Sequence, residues 1–250
     1  MDIDEDGYFG ETVAATYDEQ HEAMFRPEAV VPEVELIAGL AGDGPALEFG
    51  VGTGRVALPL AAHGVPVHGI ELSRAMVRRL REKPGGAEIG VTVGDFTTAR
   101  APGAGTFSVA YLVFNTINNL TTQDAQVECF RNAASQLRPG GTFVIDVGMP
   151  DLRLLPPGQT AVPFHIGTDR WGVDTLDPAT QAMTSHHFSG LAEGSVRYRA
   201  IPFRYVWPSE LDLMARIAGL RPRDRWEDWS RAPFTGESRR HVSVWEKPAD

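Results

Sequence analysis

Three glycines, Gly50, Gly52 and Gly54, stand at alternate positions in the stretch "EFGVGTG", directly after the apolar run "PALEF". Glycine accepts backbone conformations with positive φ and lets a ligand approach the main chain closely. In an open parallel sheet, a glycine-rich turn after the first strand is where a nucleotide binds. The stretch therefore predicts a nucleotide-type site at the carboxyl end of a first strand.

The spacing of these glycines argues against a pyrophosphate ligand. The dinucleotide fingerprint G-x-G-x-x-G places its third glycine three residues after the second, and that position is Arg55. The carboxylate of Glu48, two residues before Gly50, would also repel a phosphate group. A nicotinamide-dependent oxidoreductase is therefore the alternative, not the favoured interpretation.

Polar and aromatic residues end the next three apolar runs. "VPVHGIE" ends at Glu71, and "VTVGDF" ends with Asp95 and Phe96. A carboxylate at the end of a second strand can accept hydrogen bonds from both ribose hydroxyls. Asn115 and Asn118 follow the fourth run, "FSVAYLVF". They are either ligand contacts or turn residues, because Asn tolerates the left-handed conformation.

The elements that must position these residues follow from the pattern along the chain. Up to Val147, short β-branched runs alternate with helical segments, which predicts right-handed βαβ units and a sheet covered on both faces. Ser73 and Ser209 are predicted helix N-caps. After Pro150, three alternating runs predict an antiparallel meander, and two later runs close the sheet. The predicted fold class is α/β: a seven-stranded, mostly parallel sheet with an N-terminal helical flap and an inserted β-meander.

Taken together, these motifs resemble the class I S-adenosylmethionine-dependent methyltransferases, a Rossmann-like family of α/β enzymes. "EFGVGTG" is similar to the family's motif I, E/D-x-G-x-G-x-G, at every fixed position, and "LRPGG" is similar to the segment that precedes strand five. The resemblance covers roughly residues 12–150. It implies S-adenosyl-L-methionine as the cofactor and a small molecule as the methyl acceptor.

The resemblance also implies residue roles. Glu48 and the glycines would hold the amino-acid end of the cofactor, Glu71 the ribose, Asp95 the adenine amino group and Phe96 the adenine ring. Tyr17, in "ATYDEQH", is similar to a "YD" segment of small-molecule methyltransferases, including sugar-amine N-methyltransferases, and would face the transferred methyl. The full set of expected cofactor-binding residues is Tyr17, Glu48, Gly50, Gly52, Gly54, Glu71, Leu72, Met76, Asp95, Phe96, Phe114 and Asn115. Met76 and Phe96 could equally be core residues.

The expected reaction is an in-line displacement in which a nitrogen or oxygen of the acceptor attacks the methyl group. The candidate catalytic residues are Tyr17, Asn118, His165 and His187. His186 and His187 are neighbours in a strand and must point to opposite faces. Asp146 is the single candidate anchor for a metal, and no metal is expected because it lacks partner ligands. A non-catalytic S-adenosylmethionine-binding subunit is the second alternative.

The expected organisation is one methyltransferase domain over residues 1–250 with four parts. Residues 1–44 form the helical flap, and residues 45–150 form the cofactor-binding core. Residues 151–206 form the meander, which serves as a lid over the acceptor, and residues 207–250 form the last helix and the closing strands. Specificity on such scaffolds lies in added loops, so the flap and the meander are expected to select the acceptor.

Composition limits the partners and the compartment. The net charge of −10 disfavours nucleic acid and anionic membranes, and the apolar runs are too short to span a bilayer. The single cysteine, Cys129, suits a reducing compartment, and the acidic start "MDIDEDGYFG" lacks signal-peptide features. We therefore expect a cytoplasmic protein, with a homodimer as one assembly that it could form.

Overall fold

The computed structural model describes residues 6–150, 152, 155–192 and 194–249. A seven-stranded sheet forms the centre. Its strands are β1 (Ala46–Phe49), β2 (Val67–Glu71), β3 (Gly90–Val93), β4 (Phe107–Leu112), β5 (Leu137–Gly148), β10 (Arg221–Trp226) and β11 (Arg240–Glu246). Their spatial order is β10-β11-β5-β4-β1-β2-β3.

The first five strands are parallel, and β11 and β10 add to them antiparallel. β1 lies in the middle, paired with β2 on one side and β4 on the other. The carboxyl ends of parallel strands meet at one edge of the sheet, so the residues that follow β1 to β5 are brought together there. The predicted seven-stranded, mostly parallel α/β sheet is confirmed.

Helices cover both faces of this sheet. They are α1 (Glu11–Ala14), α2 (Tyr17–Gln20), α3 (Pro27–Ala41), α4 (Ala57–Ala62), α5 (Arg74–Arg81), α6 (Gln123–Gln136) and α7 (Pro208–Ile217), and 3₁₀ turns cover Glu22–Phe25 and Thr116–Asn119. α6 and α7 bury Phe130 and Met214 against one face. α3 and α4 bury Ile37 and Leu60 against the other. No described helix has both the length and the apolar character needed to cross a membrane.

The meander forms a separate four-stranded antiparallel sheet, which we call the lid sheet. Its strands are β6 (Ala161–Ile166), β7 (Arg170–Leu176), β8 (Ala182–Ser189) and β9 (Arg197–Arg204), in that spatial order. The alternating pattern predicted β7, β8 and β9 but missed β6. Pro163 hides this strand in the sequence, yet the residue is tolerated because β6 lies at the edge of the sheet, where a missing N–H breaks little pairing.

Of the two predicted N-caps, one is correct. The Ser73 hydroxyl accepts a hydrogen bond from the Met76 N–H at 3.0 Å, at the start of α5. Ser209 does not cap α7, because that helix begins one residue earlier, at Pro208. Proline suits the first turn of a helix, where its missing N–H needs no partner, and here it moves the boundary.

His241, on β11, is fully buried, and its burial lowers its pKa to about 4, with the Arg225 charge adding to the effect. As the pH falls below 6.5, His241 becomes protonated in the unfolded chain, whereas in the folded chain it stays neutral down to about pH 4. The free energy of unfolding should therefore fall by about 2 kcal/mol between pH 7 and pH 5 because of this residue. Urea unfolding of the wild type and His241→Gln at both pH values measures this. An equal loss in both proteins would contradict it.

Candidate active site

The glycine turn lies at the carboxyl end of β1, and all three glycines have positive φ, at 71°, 54° and 84° for Gly50, Gly52 and Gly54. A Cβ at Gly54 would come within 2.4 Å of Leu80, and one at Gly50 within 3.1 Å of Thr116. A Cβ at Gly52 would meet only the Gly50 carbonyl oxygen, at 3.9 Å. Gly54 is therefore required for packing, whereas Gly52 leaves its surroundings open.

Glu71, at the end of β2, is bound to this turn. Its Oε2 accepts a hydrogen bond from the Gly52 N–H at 2.8 Å, and its Oε1 accepts one from the Ser73 N–H at 2.9 Å. Burial raises the pKa of Glu71, and these backbone donors oppose the rise. Each carboxylate oxygen has a second lone pair, so Glu71 retains acceptor capacity for hydroxyl donors of a ligand.

Glu48, on β1, lies beneath the turn and is almost fully buried. Tyr111 stands directly beside it on β4, and its hydroxyl donates to the Glu48 Oε2 at 2.9 Å. Burial raises the pKa of Glu48 to about 8, against the effects of the Tyr111 hydrogen bond and the Arg55 charge. A ligand cation beside this carboxyl would favour its ionised form.

This pKa predicts a pH-dependent stability. The unfolded chain releases the Glu48 proton near pH 4.5, while the folded chain keeps it up to about pH 8. The stability that this proton provides is complete below pH 4.5 and is lost as the pH rises through 8. Between pH 5 and pH 8 the free energy of unfolding of the wild type should fall by on the order of 2 to 4 kcal/mol through this residue, and that of Glu48→Gln should not. Urea unfolding of both proteins at both pH values checks this. An equal change in the free energy of unfolding of the two proteins would refute it.

Arg55 was not predicted as a site residue. Its Nη1 forms a buried ion pair with the Glu33 Oε2 of α3 at 2.9 Å, and its guanidinium carbon lies 5.6 Å from the centroid of the Phe114 ring. Its Nη2 is buried and has no hydrogen-bond partner among the described residues. A buried guanidinium nitrogen without a partner beside the glycine turn can receive an anionic group. Its position directly after Gly54 is the signal that could have identified it.

The residues expected around the adenine lie further along the same edge. Asp95 is exposed after β3, and its Oδ1 accepts a hydrogen bond from the Thr97 N–H at 2.8 Å. Phe96 stacks on Phe49, with 5.7 Å between ring centroids. Leu72 is 45% exposed, whereas Met76 is buried beneath the flap in a cluster with Ala14 and Tyr17. Leu72 is thus free to contact a ligand, while Met76 occupies a core position.

The turn after β4 contains two consecutive non-glycine residues in the left-handed conformation, Phe114 (φ 58°) and Asn115 (φ 60°). The Asn115 Oδ1 accepts a hydrogen bond from the Gly148 N–H at 2.6 Å, and the Asn115 N–H donates to the Asp146 carbonyl at 3.1 Å. These bonds to β5 hold the strained backbone in place. The Asn115 amide oxygen therefore has a structural partner, and the Phe114 ring projects at the site beside Arg55.

Asp146, the candidate metal anchor, is buried and ion-paired with Arg240. Its Oδ2 also accepts a hydrogen bond from the Phe114 N–H at 3.4 Å. Within the described residues there is no group of three or more His, Cys, Asp or Glu side chains placed to hold a metal ion. This carboxylate thus has cationic and backbone partners of its own, and it supports the turn that carries Phe114.

The helical flap closes over the glycine turn. The Asp18 Oδ1 accepts a hydrogen bond from the Thr53 hydroxyl at 2.6 Å, and its Oδ2 lies 2.5 Å from the Lys83 Nζ. Tyr17 is thereby held over the site, and burial raises the pKa of its phenol to about 12, so it is neutral at physiological pH. His21, one helical turn later, packs between Tyr17 and Phe114.

The lid sheet places one of the two candidate histidines on the face that meets the flap. His187 contacts Phe164, and burial lowers its pKa, with further lowering by Arg170, Arg199 and the flap residue His21. Arg199 of the same face lies over the Tyr8 ring at 5.9 Å, so this face is turned to the flap. His186 points to the other face and stacks on Tyr198, as expected from strand geometry.

His165 and Asn118 have contrasting positions. His165 is exposed on the edge strand β6, beside Gly167 at the hairpin turn, and the structure does not bring it to the other candidates.

Asn118 is 7% exposed in the turn after β4, which packs against β9 of the lid sheet. Its Oδ1 is buried without a hydrogen-bond partner among the described residues. It is thus a buried hydrogen-bond acceptor without a partner, where the core meets the lid sheet.

The chain is similar to known methyltransferases in both sequence and fold. The family described as "Methyltransferase domain" matches residues 46–141. The chain is 37% identical to the CcbJ methyltransferase from Streptomyces caelestis, with a TM-score of 0.84, over 96% of this chain and 98% of that one. It is 27% identical to a cypemycin N-terminal methyltransferase from a Streptomyces species, over 86% of this chain and 90% of that protein. It shares its fold with S-adenosylmethionine-bound CalS10, an amino pentose methyltransferase from Micromonospora echinaspora, at 21% identity and a TM-score of 0.67, over 92% and 96% of the two chains.

Proposed function

Because this chain belongs to the class I S-adenosylmethionine-dependent methyltransferases, we propose that it methylates an amine nitrogen of a small molecule. The methyltransferase interpretation of the sequence is confirmed over the oxidoreductase and the non-catalytic subunit, and the cofactor is S-adenosyl-L-methionine. The nitrogen acceptor is the proposal. The observation that carries it is the likeness to a cypemycin N-terminal methyltransferase, and the buried, unpartnered Asn118 Oδ1 offers an acceptor for an N–H of such a substrate.

The residues of the cleft fit this cofactor. Its amino-acid end carries an ammonium and a carboxylate. The buried Glu48 and the unpartnered Arg55 Nη2, which flank the glycine turn in the chain, support a site for both charges. We infer that these two groups hold that end, that Glu71 holds the ribose, and that Asp95 and Phe96 receive the adenine. When bound, the cofactor supplies a methyl group activated by a sulfonium.

The remaining work of the protein is to align the acceptor and exclude water. Tyr17 and Phe114 form the apolar wall at the flap and at the β4 end, and Asn118 lies where the core meets the lid sheet. Alignment of two reactants is worth effective molarities of about 10⁵ M or more, which needs no covalent catalysis. The division of the chain into flap, core, lid and closing segment is part of this proposal.

One relative supports nitrogen as the acceptor atom. The cypemycin enzyme, 27% identical to this chain, is named an N-terminal methyltransferase. An oxygen acceptor is the alternative, and it would require a base strong enough to activate a hydroxyl.

The test is methyl transfer from labelled S-adenosylmethionine to a panel of amino sugars, amino acid amides and short peptides, each paired with its hydroxyl analogue. We expect label only in the amines. Label confined to the hydroxyl analogues would overturn the proposal. Asn118→Ala should raise the amine KM about 10-fold at unchanged cofactor affinity, because one hydrogen bond is lost. The neighbouring Asn119→Ala is the matched control and should leave both values unchanged.

We further propose that the protein acts in the cytoplasm, with a homodimer as its assembly. The single cysteine, Cys129, is buried and unpaired, which suits a reducing compartment. A homodimer is the commonest closed assembly of soluble proteins. Cell fractionation and light scattering of the purified protein test the two statements separately.

A further inference from the structure

His21 packs between Tyr17 and Phe114, the two residues that form the wall of the proposed acceptor site, and has no role assigned so far. Its ring centroid is 4.5 Å from that of Tyr17 and 5.4 Å from that of Phe114, whose ring it meets edge to face. It is half-buried, and it belongs to the flap, which closes over the glycine turn through Asp18. The imidazole is thus held between the two residues that form the apolar wall of the site.

The tautomer of His21 follows from one hydrogen bond. Its Nδ1 lies 2.8 Å from the Tyr17 carbonyl oxygen. A carbonyl oxygen can only accept, so Nδ1 carries the proton and Nε2 of the neutral ring has a free lone pair. Within the described part of the chain, Nε2 has no hydrogen-bond partner. An oriented imidazole with one nitrogen fixed as donor is the usual arrangement of a histidine base.

The charged and titratable groups around His21 are less suited to accept a proton than His21 itself. The glycine turn contributes Arg55, whose guanidinium lies over Phe114, and the lid sheet contributes His187, flanked by Arg170 and Arg199. Arg55 cannot accept a proton at neutral pH, and Tyr17, on the flap itself, is a neutral phenol with its pKa raised to about 12. Asp18 is engaged with Lys83 and Thr53. His21 is therefore the best-placed base on the flap side of the site.

We propose that His21 is the general base that deprotonates the acceptor ammonium. The N–H bond breaks, the proton moves to Nε2, and the electron pair stays on the acceptor nitrogen. That pair forms the new N–C bond as the S–C bond breaks and leaves its electrons on the neutral thioether sulfur, and the imidazolium later returns its proton to water. This inference rests on the proposed transfer to an amine.

The test compares wild type, His21→Gln and His21→Ala with the best amine of the panel, and with the exposed His63→Ala as the matched control. His21→Gln should lose about 100-fold in kcat/KM at pH 7 and recover at high pH, where the amine is already a free base. Added imidazole should partly restore His21→Ala. The dissociation constant of S-adenosylmethionine, measured by calorimetry, should change less than 2-fold, and His63→Ala should match the wild type.

Three outcomes would overturn the inference. If His21→Gln keeps the wild-type rate and pH profile, His21 is not the general base, and the proposed methyl transfer to an amine still stands. A ¹⁵N NMR spectrum that places the proton of neutral His21 on Nε2 removes the base while leaving methyl transfer unaffected. Absence of label in every amine with the wild-type enzyme refutes the proposed function, and this inference falls with it.

Discussion

Glu71→Ala should weaken the binding of S-adenosylmethionine by about 100-fold or more. The substitution removes the carboxylate proposed to hold the ribose, and each hydrogen bond to a charged group contributes about 1.5 to 3 kcal/mol. It also leaves the Gly52 and Ser73 N–H groups without their acceptor, so the glycine turn itself loses its anchor. Calorimetric titration with the cofactor measures the loss.

The matched control for this variant is Glu88→Ala, which removes an exposed carboxylate just before β3, at the amino ends of the parallel strands and so at the opposite edge of the sheet from the glycine turn. It should bind the cofactor as the wild type does. Glu71→Gln should be intermediate, because it keeps one acceptor oxygen for the turn but loses the charge. Equal affinities of the wild type and Glu71→Ala would refute the assignment of this site.

Arg55→Met should destabilise the fold by about 3 to 5 kcal/mol. Glu33 is 2% exposed, and without Arg55 its charge would remain buried with no cation beside it. Burial already raises the pKa of Glu33 against the opposing effect of Arg55, so the variant should be most unstable at high pH. Urea unfolding at pH 6 and pH 8 measures both effects.

A double variant separates the structural role of Arg55 from its proposed role in binding. Arg55→Met with Glu33→Leu removes both charges, and such replacements of buried ion pairs are often neutral for stability. The double variant should therefore recover most of the lost stability but still bind S-adenosylmethionine weakly, since the cation for its carboxylate is missing. Wild-type affinity in the double variant would show that Arg55 serves the fold alone.

Local patterns in the sequence were sufficient to predict the frame of the site. Buried parallel strands are short apolar runs, and their alternation with helices predicted the seven-stranded sheet that the structure confirms. The positive φ of Gly50, Gly52 and Gly54 and the position of Glu71 beside that turn follow from the same patterns. The boundaries of the elements were predicted less accurately. Pro208 starts α7 before the predicted cap Ser209, and Pro163 conceals β6, whose place at the edge of the sheet depends on its neighbours.

The sequence by itself determined which chemistry this chain can perform, because motif residues at strand ends are placed by the parallel sheet alone. Only the tertiary structure decided which other side chains join them. His21, Arg55 and Asn118 lie on three different segments of the chain. His165 and His187 were both candidates, yet His165 is exposed on the edge strand and only His187 shares the face that meets the flap. The physical reason is that their partners, such as Glu33 for Arg55 and the Tyr17 carbonyl for His21, are set by how the flap packs on the core, which no local pattern in the sequence encodes.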